Sequence, residues 1–231
     1  MENYGDYTYN AQNPLQRFSH RRRFHNAIAA IPVNDNIRLL DFGCGDGLFL
    51  NKLKEVLNNK TVFLMGYEPF MPPVHNNAVT ITASWEEVVK EAPFNYITCF
   101  EVLEHFDENL QRETLKKISQ LLDDDGVLIV SVPIEKGFPA LVKNIARRFT
   151  CPKRERHLYS IKNIMAACFK KKLPQYRTGS NYLSHLGFYH TDLEKLFLDD
   201  FVMVKKRFSP FTSLGSQLNS QVFYKLRKSL L

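Results

Sequence analysis

The sequence lacks a long apolar run and a targeting pattern, and these two absences exclude whole classes of protein. None of its apolar runs approaches the length that crosses a bilayer, so an integral membrane protein is not expected. The N-terminal residues MENYGDYTYN are polar and acidic, and they show no signal-peptide pattern. We therefore expect a soluble cytoplasmic protein.

Cysteine is also scarce, and its spacing excludes the common cysteine chemistries. The four cysteines, Cys44, Cys99, Cys151 and Cys168, form no CxxC pair and no other metal-ligand spacing. We interpret them as reduced thiols that pack as small apolar residues, as in cytosolic proteins. The sequence also shows no internal repeat and no low-complexity segment, so a repeat architecture is not expected.

What the chain does have is positive charge, and that charge is concentrated. The 231 residues carry a formal net charge of +7. The stretch from Lys143 to Lys172 holds ten Lys or Arg and one acid, and Arg17 with Arg21–Arg23 forms a second basic cluster. Such clusters indicate an anionic partner, namely substrate phosphates, nucleic acid or an acidic membrane surface. The alternative is a basic face that only contacts water.

Strand and helix patterns alternate along the first 135 residues, which favours a mainly parallel sheet covered by helices. A late helix with Thr191 as its N-cap, followed by two strands, completes a seven-stranded α/β sheet of Rossmann-like type. Helices are predicted at Leu48–Asn58, Trp85–Glu91 and Glu108–Leu122, with the residues from Asp123 to Gly126 as a turn. Strands are predicted at Arg38–Phe42, Val62–Tyr67, Val79–Thr82, Tyr96–Phe100, Val127–Val132, Phe201–Phe208 and Gln221–Leu226.

The most informative segment is LLDFGCGDG, which runs from Leu39 to Gly47. It has the pattern of a buried strand that ends in Asp41 and is followed by glycines at alternating positions. A helix follows, with Asp46 as a candidate N-cap. Open α/β sheets bind their cofactors at such a junction between strand end and helix start.

A second acid narrows the choice of cofactor. Glu68 follows the second predicted strand, 21 residues after Gly47, where its carboxylate can accept both hydroxyls of a ribose. NAD and S-adenosylmethionine (SAM) both contain that ribose, so the loop and the acid do not separate them. The spacing GxGxG disfavours an NAD-dependent oxidoreductase, which typically has GxGxxG.

The order of five motifs separates the two cofactors. LLDFGCGDG, GYEP, TASW, CFEVLEHF and DDDGVLIVSVP follow one another over about residues 37–135. In this order and spacing the chain resembles the class I SAM-dependent methyltransferases. The resemblance implies a methyltransferase with SAM as its cofactor.

The resemblance also implies where SAM binds. The methionine part of SAM would contact the glycine loop, and the ribose would contact Glu68. The adenine would lie against the turn after the third strand, and the sulfonium would lie beside the end of the fourth strand. The implied cofactor-binding residues are Asp41, Gly43, Cys44, Gly45, Glu68, Ser84, Trp85, Phe100 and Glu101. For Trp85, simple packing of a helix start against the sheet is the alternative.

Methyl transfer from a sulfonium is an in-line displacement, and a hydroxyl acceptor also needs a base. His105 is the first candidate base because it follows the strand end that would face the methyl group, although it could instead only pack the helix start. His185 is the second candidate, on the opposite rim of the same pocket. His190, on that rim, and His157, in the basic segment, are weaker candidates.

The pattern ExxEH formed by Glu101, Glu104 and His105 raises the question of a metal. It resembles the magnesium-binding set of small-RNA 2′-O-methyltransferases, which includes a further histidine downstream. Two carboxylates and an imidazole suit a divalent ion. No HxxH-like partner follows in this sequence, so we expect no metal.

The acceptor should be recognised by residues 134–190, an insertion predicted to form a helical cap within a single domain of residues 1–231. Two basic helices, Phe138–Phe149 and Ile161–Lys171, are expected there. Either their apolar faces turn inward over the active site, which we favour, or residues 143–172 contact a membrane surface. The apolar side chains concerned are Phe138, Leu141, Phe149, Ile161, Ile164 and Phe169.

The overall layout resembles bacterial methyltransferases of sugars and other small metabolites, including the ubiquinone-type O-methyltransferases. The resulting hypothesis is O-methylation of a saccharide or other hydroxylated small metabolite, with an anionic or lipid-linked acceptor in view. RNA methylation is the second hypothesis, although no RNA-binding module is recognisable. A SAM-binding partner protein without catalysis is the third.

Overall fold

The computed structural model covers the sheet, its helices and the glycine loop. It describes residues 22, 24–31, 36–58, 61–70, 74–75, 79–151, 153, 156–169, 185–212, 215–216 and 218–229. Of the N-terminal arginine cluster only Arg22, which is exposed, falls within this set. Arg17, Arg21 and Arg23 lie outside the described residues.

The strands form one mixed sheet in the order β3-β4-β2-β1-β5-β6-β8-β7. The seven predicted strands are confirmed, and the pairs β1–β2, β1–β5, β2–β4 and β5–β6 are parallel. A two-residue strand, β3, adds an antiparallel edge that the sequence pattern did not predict. The strands are β1 Ile37–Phe42, β2 Val62–Tyr67, β3 Val74–His75, β4 Thr80–Thr82, β5 Phe94–Phe100, β6 Leu122–Pro133, β7 Phe201–Ser209 and β8 Gln221–Lys228.

Helices connect and flank the parallel strands. Helix α1, at residues 24–30, precedes β1 and was not predicted. The predicted helices are present within a few residues of their expected bounds. They are α2 Leu48–Leu57, α3 Trp85–Glu91, α4 Glu108–Leu121, α5 Gly137–Thr150, α6 Ile161–Cys168 and α7 His190–Phe197, with a short 3₁₀ helix at Leu103–His105.

The sheet is buried on both faces, as a parallel sheet requires. Consecutive residues of β1 illustrate this, because Leu39 and Leu40 are both fully buried and belong to different apolar clusters. Leu40 packs with the cluster that contains Ile97 of β5, whereas Leu39 packs with the cluster that contains Leu53 of α2. The rigid core therefore fixes the carboxyl ends of β1 and β5 next to each other.

Three predicted element boundaries are wrong in detail. Helix α7 begins at His190 with Tyr189 at the N-cap and no side-chain cap, so Thr191 already lies inside the helix. Helix α2 has Gly47 at its N-cap in a left-handed conformation, although the Asp46 carboxylate accepts a hydrogen bond from the Leu48 backbone N–H at 3.1 Å. The residues after Leu121 do not form a separate turn, since β6 already begins at Leu122 with an irregular register against β5.

The insertion after β6 presents its apolar side chains differently from the favoured expectation. Phe138 and Phe149 of α5 are 67% and 74% exposed, and Ile161 at the start of α6 is 71% exposed. Ile164 is buried as expected, but the expectation that the apolar side chains turn inward is wrong for Phe138, Phe149 and Ile161. Among the described residues no helix is both long and apolar enough to cross a membrane.

Candidate active site

A cavity of about 980 Å³ opens where β1, β2 and β5 end. Parallel neighbours end at the same edge of a sheet, so the residues that follow them meet there. Asp41, Glu68 and Glu101 reach the cavity from these three strand ends. Helix α1 contributes Phe24 and Ala27 to the wall, a contribution that sequence reasoning missed because the helix itself was not predicted.

The glycine loop is held against the ends of β2 and β5, and its backbone lines the cavity. Gly43 has φ of 76°, and a Cβ there would lie 2.3 Å from Cγ2 of Val102. Gly45 has φ of 55°, and a Cβ there would meet no atom within 4 Å. Glycine is required at position 43 because φ is positive and Val102 approaches closely. Beside Gly45 the space is open, so a ligand can lie there against bare backbone.

Glu68 lies against the same loop. One carboxylate oxygen accepts a hydrogen bond from the Gly45 backbone N–H at 3.2 Å, and the other accepts one from the Phe70 backbone N–H at 3.3 Å. These two bonds fix the plane of the carboxylate at the cavity wall. A carboxylate has about four acceptor positions, so acceptor capacity remains for a diol.

Asp41 is an almost fully buried acid at the base of the cavity. Its carboxylate accepts a 2.6 Å hydrogen bond from the Thr98 hydroxyl. Burial raises the pKa of Asp41 to about 7, against the lowering effect of the Thr98 hydrogen bond and with a small further rise from the charge of Glu68. A cation placed beside it would favour the ionised form.

Cys44 contributes volume to the loop rather than reactivity. Burial, with the nearby charges of Asp41 and Glu68, raises the pKa of this thiol well above its ordinary value. A neutral buried thiol is a poor nucleophile. A Cβ on Gly66 of β2 would lie only 2.5 Å from Sγ of Cys44. Cys44 therefore packs the loop closely onto β2.

Ser84 and Trp85, which were predicted to border an adenine, have different environments in the structure. Trp85 lines the cavity, and its ring packs edge-on against Tyr67 and Phe42 with centroids 5.4 and 6.3 Å apart. Ser84 instead caps α3, where its hydroxyl oxygen accepts a hydrogen bond from the Glu87 backbone N–H. Ser84 is absent from the described cavity wall, so its contact with a cofactor stays a prediction.

Phe100 and Glu101 close the end of β5. The Phe100 ring packs against Phe49, with centroids 5.0 Å apart. Glu101 has φ of 57°, and its carboxylate accepts hydrogen bonds from Gln221 at 2.7 Å and from the Ser131 hydroxyl at 3.1 Å. A non-glycine residue with positive φ at a strand end is typical of functional sites, because the neighbouring contacts must hold the strained conformation.

The two leading histidine candidates lie next to each other, but only His105 belongs to the described cavity wall, so the place of His185 on the opposite rim stays a prediction. His105 lines the cavity from the 3₁₀ helix, and its Nε2 lies 3.3 Å from Nε2 of His185. The two nitrogens can share one hydrogen bond when one carries the proton and the other accepts it. The structure thus brings together two residues that are 80 positions apart in the sequence.

A carboxylate that sequence reasoning missed lies behind this pair. Oε1 of the fully buried Glu135 is 3.6 Å from Nδ1 of His185. Burial alone would raise the pKa of Glu135, but Lys143 at 2.6 Å, the nearby imidazole of His185 and Arg147 at 3.2 Å hold that pKa well below its ordinary value. Its only sequence signal was an acid three residues after the predicted strand Val127–Val132.

The other two histidines lie apart from this arrangement. His190 is the first residue of α7 and is buried, and burial lowers its pKa to about 4. His157 is exposed in the segment before α6. Both remain weaker candidates than His105, because neither contributes to the described cavity wall.

One group of side chains has metal-ligand character. Glu104, His105 and His185 each offer a ligand atom, and these atoms lie within 4.8 Å of one another. Two imidazoles and a carboxylate suit a borderline divalent ion such as Zn²⁺. Glu101 is engaged by Gln221 and Ser131 instead, and the expectation of no metal stays a prediction.

This sheet order, with a glycine loop at β1 and an acid at the end of β2, defines a class I SAM-dependent methyltransferase. The family model described as "Methyltransferase domain" matches residues 11–193, and the chain belongs to that family. No curated protein sequence matches the chain.

Solved structures show the same fold at low sequence identity. Magnesium protoporphyrin IX methyltransferase from Synechocystis shares 12% identity at a TM-score of 0.56, with 94% of this chain and 88% of that chain covered. The plantazolicin methyltransferase BpumL shares 15% at a TM-score of 0.56, covering 96% and 87%. The cyclopropane synthase MmaA2 from Mycobacterium tuberculosis shares 12% at 0.55, covering 96% and 88%.

The residues of the cavity fit SAM, the cofactor of this family. The open space at Gly45 leaves room beside the backbone, and the oriented carboxylate of Glu68 matches the ribose hydroxyls. Asp41 offers a buried carboxyl that gains from a cationic neighbour, and SAM carries an ammonium group on its methionine part. The cavity volume is at the upper end of the usual range of about 300–1,000 Å³ for small-molecule sites, which leaves room for an acceptor.

Proposed function

We propose that this SAM-dependent methyltransferase methylates a hydroxyl of a saccharide or another hydroxylated small molecule, with His105 as the base. The observation that carries the proposal is the succession of Glu135, His185 and His105, which ends at the cavity with His105. A hydroxyl must lose its proton as it attacks the methyl group, whereas many other acceptors need no base. We also propose that the protein acts in the cytoplasm.

The three side chains define a direction for the proton. The carboxylate of Glu135 favours a proton on Nδ1 of His185, which leaves Nε2 of His185 as an acceptor for the Nε2–H of His105. Nδ1 of His105 is then the nitrogen that takes the acceptor proton. The positive charge that forms on His105 is stabilised through His185 by the buried carboxylate.

SAM supplies an activated methyl group, so the other task of the protein is alignment. Asp41 and Glu68 hold the two ends of the cofactor, as the resemblance implies, and the carboxylate of Glu101 is held in place by Gln221 and Ser131. The acceptor hydroxyl is then placed between the methyl group and His105. We propose an acceptor that is anionic or lipid-linked, in view of the basic insertion.

Several observations support a small acceptor over RNA. The cavity volume of about 980 Å³ suits a small molecule beside the cofactor, and two of the similar proteins are named for a porphyrin and for plantazolicin. Release of S-adenosylhomocysteine from wild-type enzyme with a panel of sugars, phosphosugars, phenols and lipid-linked sugars, beside an RNA pool, tests this. Turnover with RNA alone would overturn the proposed acceptor class.

His105→Ala tests the base. We expect turnover of the acceptor found in the panel to fall by about 10² to 10⁴, because a positioned base contributes that factor. SAM affinity measured by calorimetry should stay within about threefold of wild type, since the base contacts the acceptor. Undiminished turnover would refute the assignment of His105.

His185 and Glu135 are positioning residues in this scheme, and the pH profile distinguishes them from residues with a merely structural role. Glu135→Gln should move the pH-rate midpoint to lower pH, because the neutral amide stabilises a charged imidazole less.

Turnover by wild-type enzyme that has been dialysed against EDTA tests whether a metal takes part. Loss of turnover that Zn²⁺ restores would identify Glu104, His105 and His185 as a metal site and would contradict the base mechanism.

A further inference from the structure

Helix α5 presents an apolar row to water. Phe138, Val142, Ile145 and Phe149 recur at helical spacing, and they are 67%, 53%, 45% and 74% exposed. Residues four and three positions apart lie on one face of an α-helix. Large exposed apolar patches on a protein that has a full core mark an interaction surface.

The cations of α5 lie on its other side. Lys143 and Arg147 contact the buried carboxylate of Glu135, at 2.6 and 3.2 Å. Arg148 donates a hydrogen bond to the backbone carbonyl of Tyr159 at 2.9 Å. The usual amphipathic arrangement is therefore partly reversed, because Lys143 and Arg147 are half-buried against Glu135 whereas the apolar row faces outward.

Helix α6 repeats the pattern next to it. Ile161, Met165 and Phe169 are exposed at intervals of four residues, whereas Ile164 and Ala167 on the other face are buried. The two helices pack against each other. Seven large apolar side chains are thus exposed on two neighbouring helices of one insertion.

Cations flank these rows. Lys153, Arg156 and Lys162 are all exposed. Glu155 is the single acid between Lys143 and Lys172, a stretch with ten Lys or Arg. The segment thus joins exposed apolar side chains to strong positive charge, a combination that matches the interface of an anionic bilayer.

We propose that α5 and α6 form a docking surface for an anionic membrane, with the apolar rows in the headgroup region and the flanking cations on the lipid phosphates. The charge decides between occupants, since two copies of this surface facing each other would bring like charges together. Helix α5 is 14 residues, or about 21 Å, long, which suits a helix lying in the interface rather than one spanning it. The surface is independent of the acceptor proposed above.

Co-sedimentation of the full-length chain with vesicles tests the surface. We expect binding to vesicles of phosphatidylcholine with phosphatidylglycerol, weaker binding to phosphatidylcholine alone, and release at high salt. Phe138→Ser with Phe149→Ser should lower the partition coefficient by about tenfold or more, because both rings leave the lipid. Lys153→Gln with Lys162→Gln should lower it by about fivefold for each cation removed.

The controls separate docking from folding and from catalysis. Phe211→Ser removes a 50% exposed ring outside α5 and α6 and should bind vesicles as wild type does. Each variant should keep wild-type SAM affinity, which excludes unfolding, and His105→Ala should bind vesicles normally even if the base mechanism fails. The proposal would be overturned if the wild type did not bind vesicles, or if the double phenylalanine variant bound them as well as the wild type. It would also be overturned if the wild type formed a dimer instead and the double substitution broke that dimer.

Discussion

The chemistry of this protein depends on a few residues whose environment changes their ordinary behaviour. Asp41 is an acid held partly protonated near neutral pH, because burial outweighs its hydrogen bond from Thr98. Gly43 and Gly45 both have positive φ, but their surroundings differ. A side chain at Gly43 would collide with Val102, whereas the space beside Gly45 is open. These differences lead to separate predictions.

Asp41 should make SAM binding depend on pH. With a pKa of about 7 in the free protein, its ionised fraction rises through neutrality, and the ionised form is the one that pairs with the SAM ammonium group. SAM affinity should therefore rise about tenfold from pH 6 to pH 8. Calorimetry with Asp41→Asn as the control should give weaker and pH-independent binding, and a flat wild-type profile would contradict this role.

Gly43→Ala and Gly45→Ala should fail in different ways. A methyl group at Gly43 collides with Val102, so this variant should lose about 1–3 kcal/mol of unfolding free energy. At Gly45 the added methyl meets no protein atom, so stability should fall by only about 1 kcal/mol while SAM affinity is lost. Urea denaturation and calorimetry measure the two quantities, and equal effects of both variants on stability would be inconsistent with this distinction.

At the residue scale the sequence carries a clearer signal for the predicted cofactor residues than for the proposed proton path. Glu68 and the glycines were recognisable because backbone constraints and ribose chemistry leave a local signal. Glu135 was missed, since the role proposed for it depends on contacts with His185 and Lys143 that only the folded chain creates. Ser84 caps α3 in the structure, and its contact with a cofactor stays a prediction.

Among the elements, the turn after β5 is the one that positions His105, the proposed base. The 3₁₀ helix Leu103–His105 leads into α4, and Gln111 of α4 donates hydrogen bonds to the carbonyls of Leu103 and Phe106. Asp107 caps α4 by accepting a hydrogen bond from the Leu110 backbone N–H at 2.8 Å. The cap therefore fixes the segment that carries His105.

Asp107→Ala should destabilise the protein by about 1 kcal/mol, the usual effect of removing an N-cap acceptor. Asp107→Asn keeps an acceptor and should restore most of that free energy. Urea denaturation monitored by circular dichroism measures both. An alanine variant as stable as wild type would show that the cap does not hold this turn.

Element types followed from periodicity, and their exceptions have physical causes. Helix α5 was predicted correctly as a helix, but the pattern alone does not say which face is inside. The buried carboxylate of Glu135 attracts Lys143 and Arg147 inward, so the apolar row is left outside. Helix α1 was missed because a short helix with four basic residues before it resembles a charged surface segment.

At the scale of the whole molecule, the sheet organises two surfaces with different tasks. The strand ends of β1, β2 and β5 build the candidate SAM cavity, and the insertion after β6 carries the proposed membrane-docking surface on its outer side. Glu135, at the start of this insertion, connects the two because it contacts His185 on one side and Lys143 of α5 on the other. The fold class was predictable from the alternation of strands and helices, whereas the orientation of the insertion was not.

The account depends most on the cavity being the SAM site, with Glu68 on the ribose. Calorimetric titration of Glu68→Ala with SAM tests this directly, with the exposed Glu55→Ala as a matched control. Wild type and Glu55→Ala should bind SAM and not NAD, and Glu68→Ala should bind SAM at least about tenfold more weakly, because a charged hydrogen bond contributes about 1.5–3 kcal/mol. Unchanged SAM affinity in Glu68→Ala, or binding of NAD in place of SAM by wild type, would contradict the account.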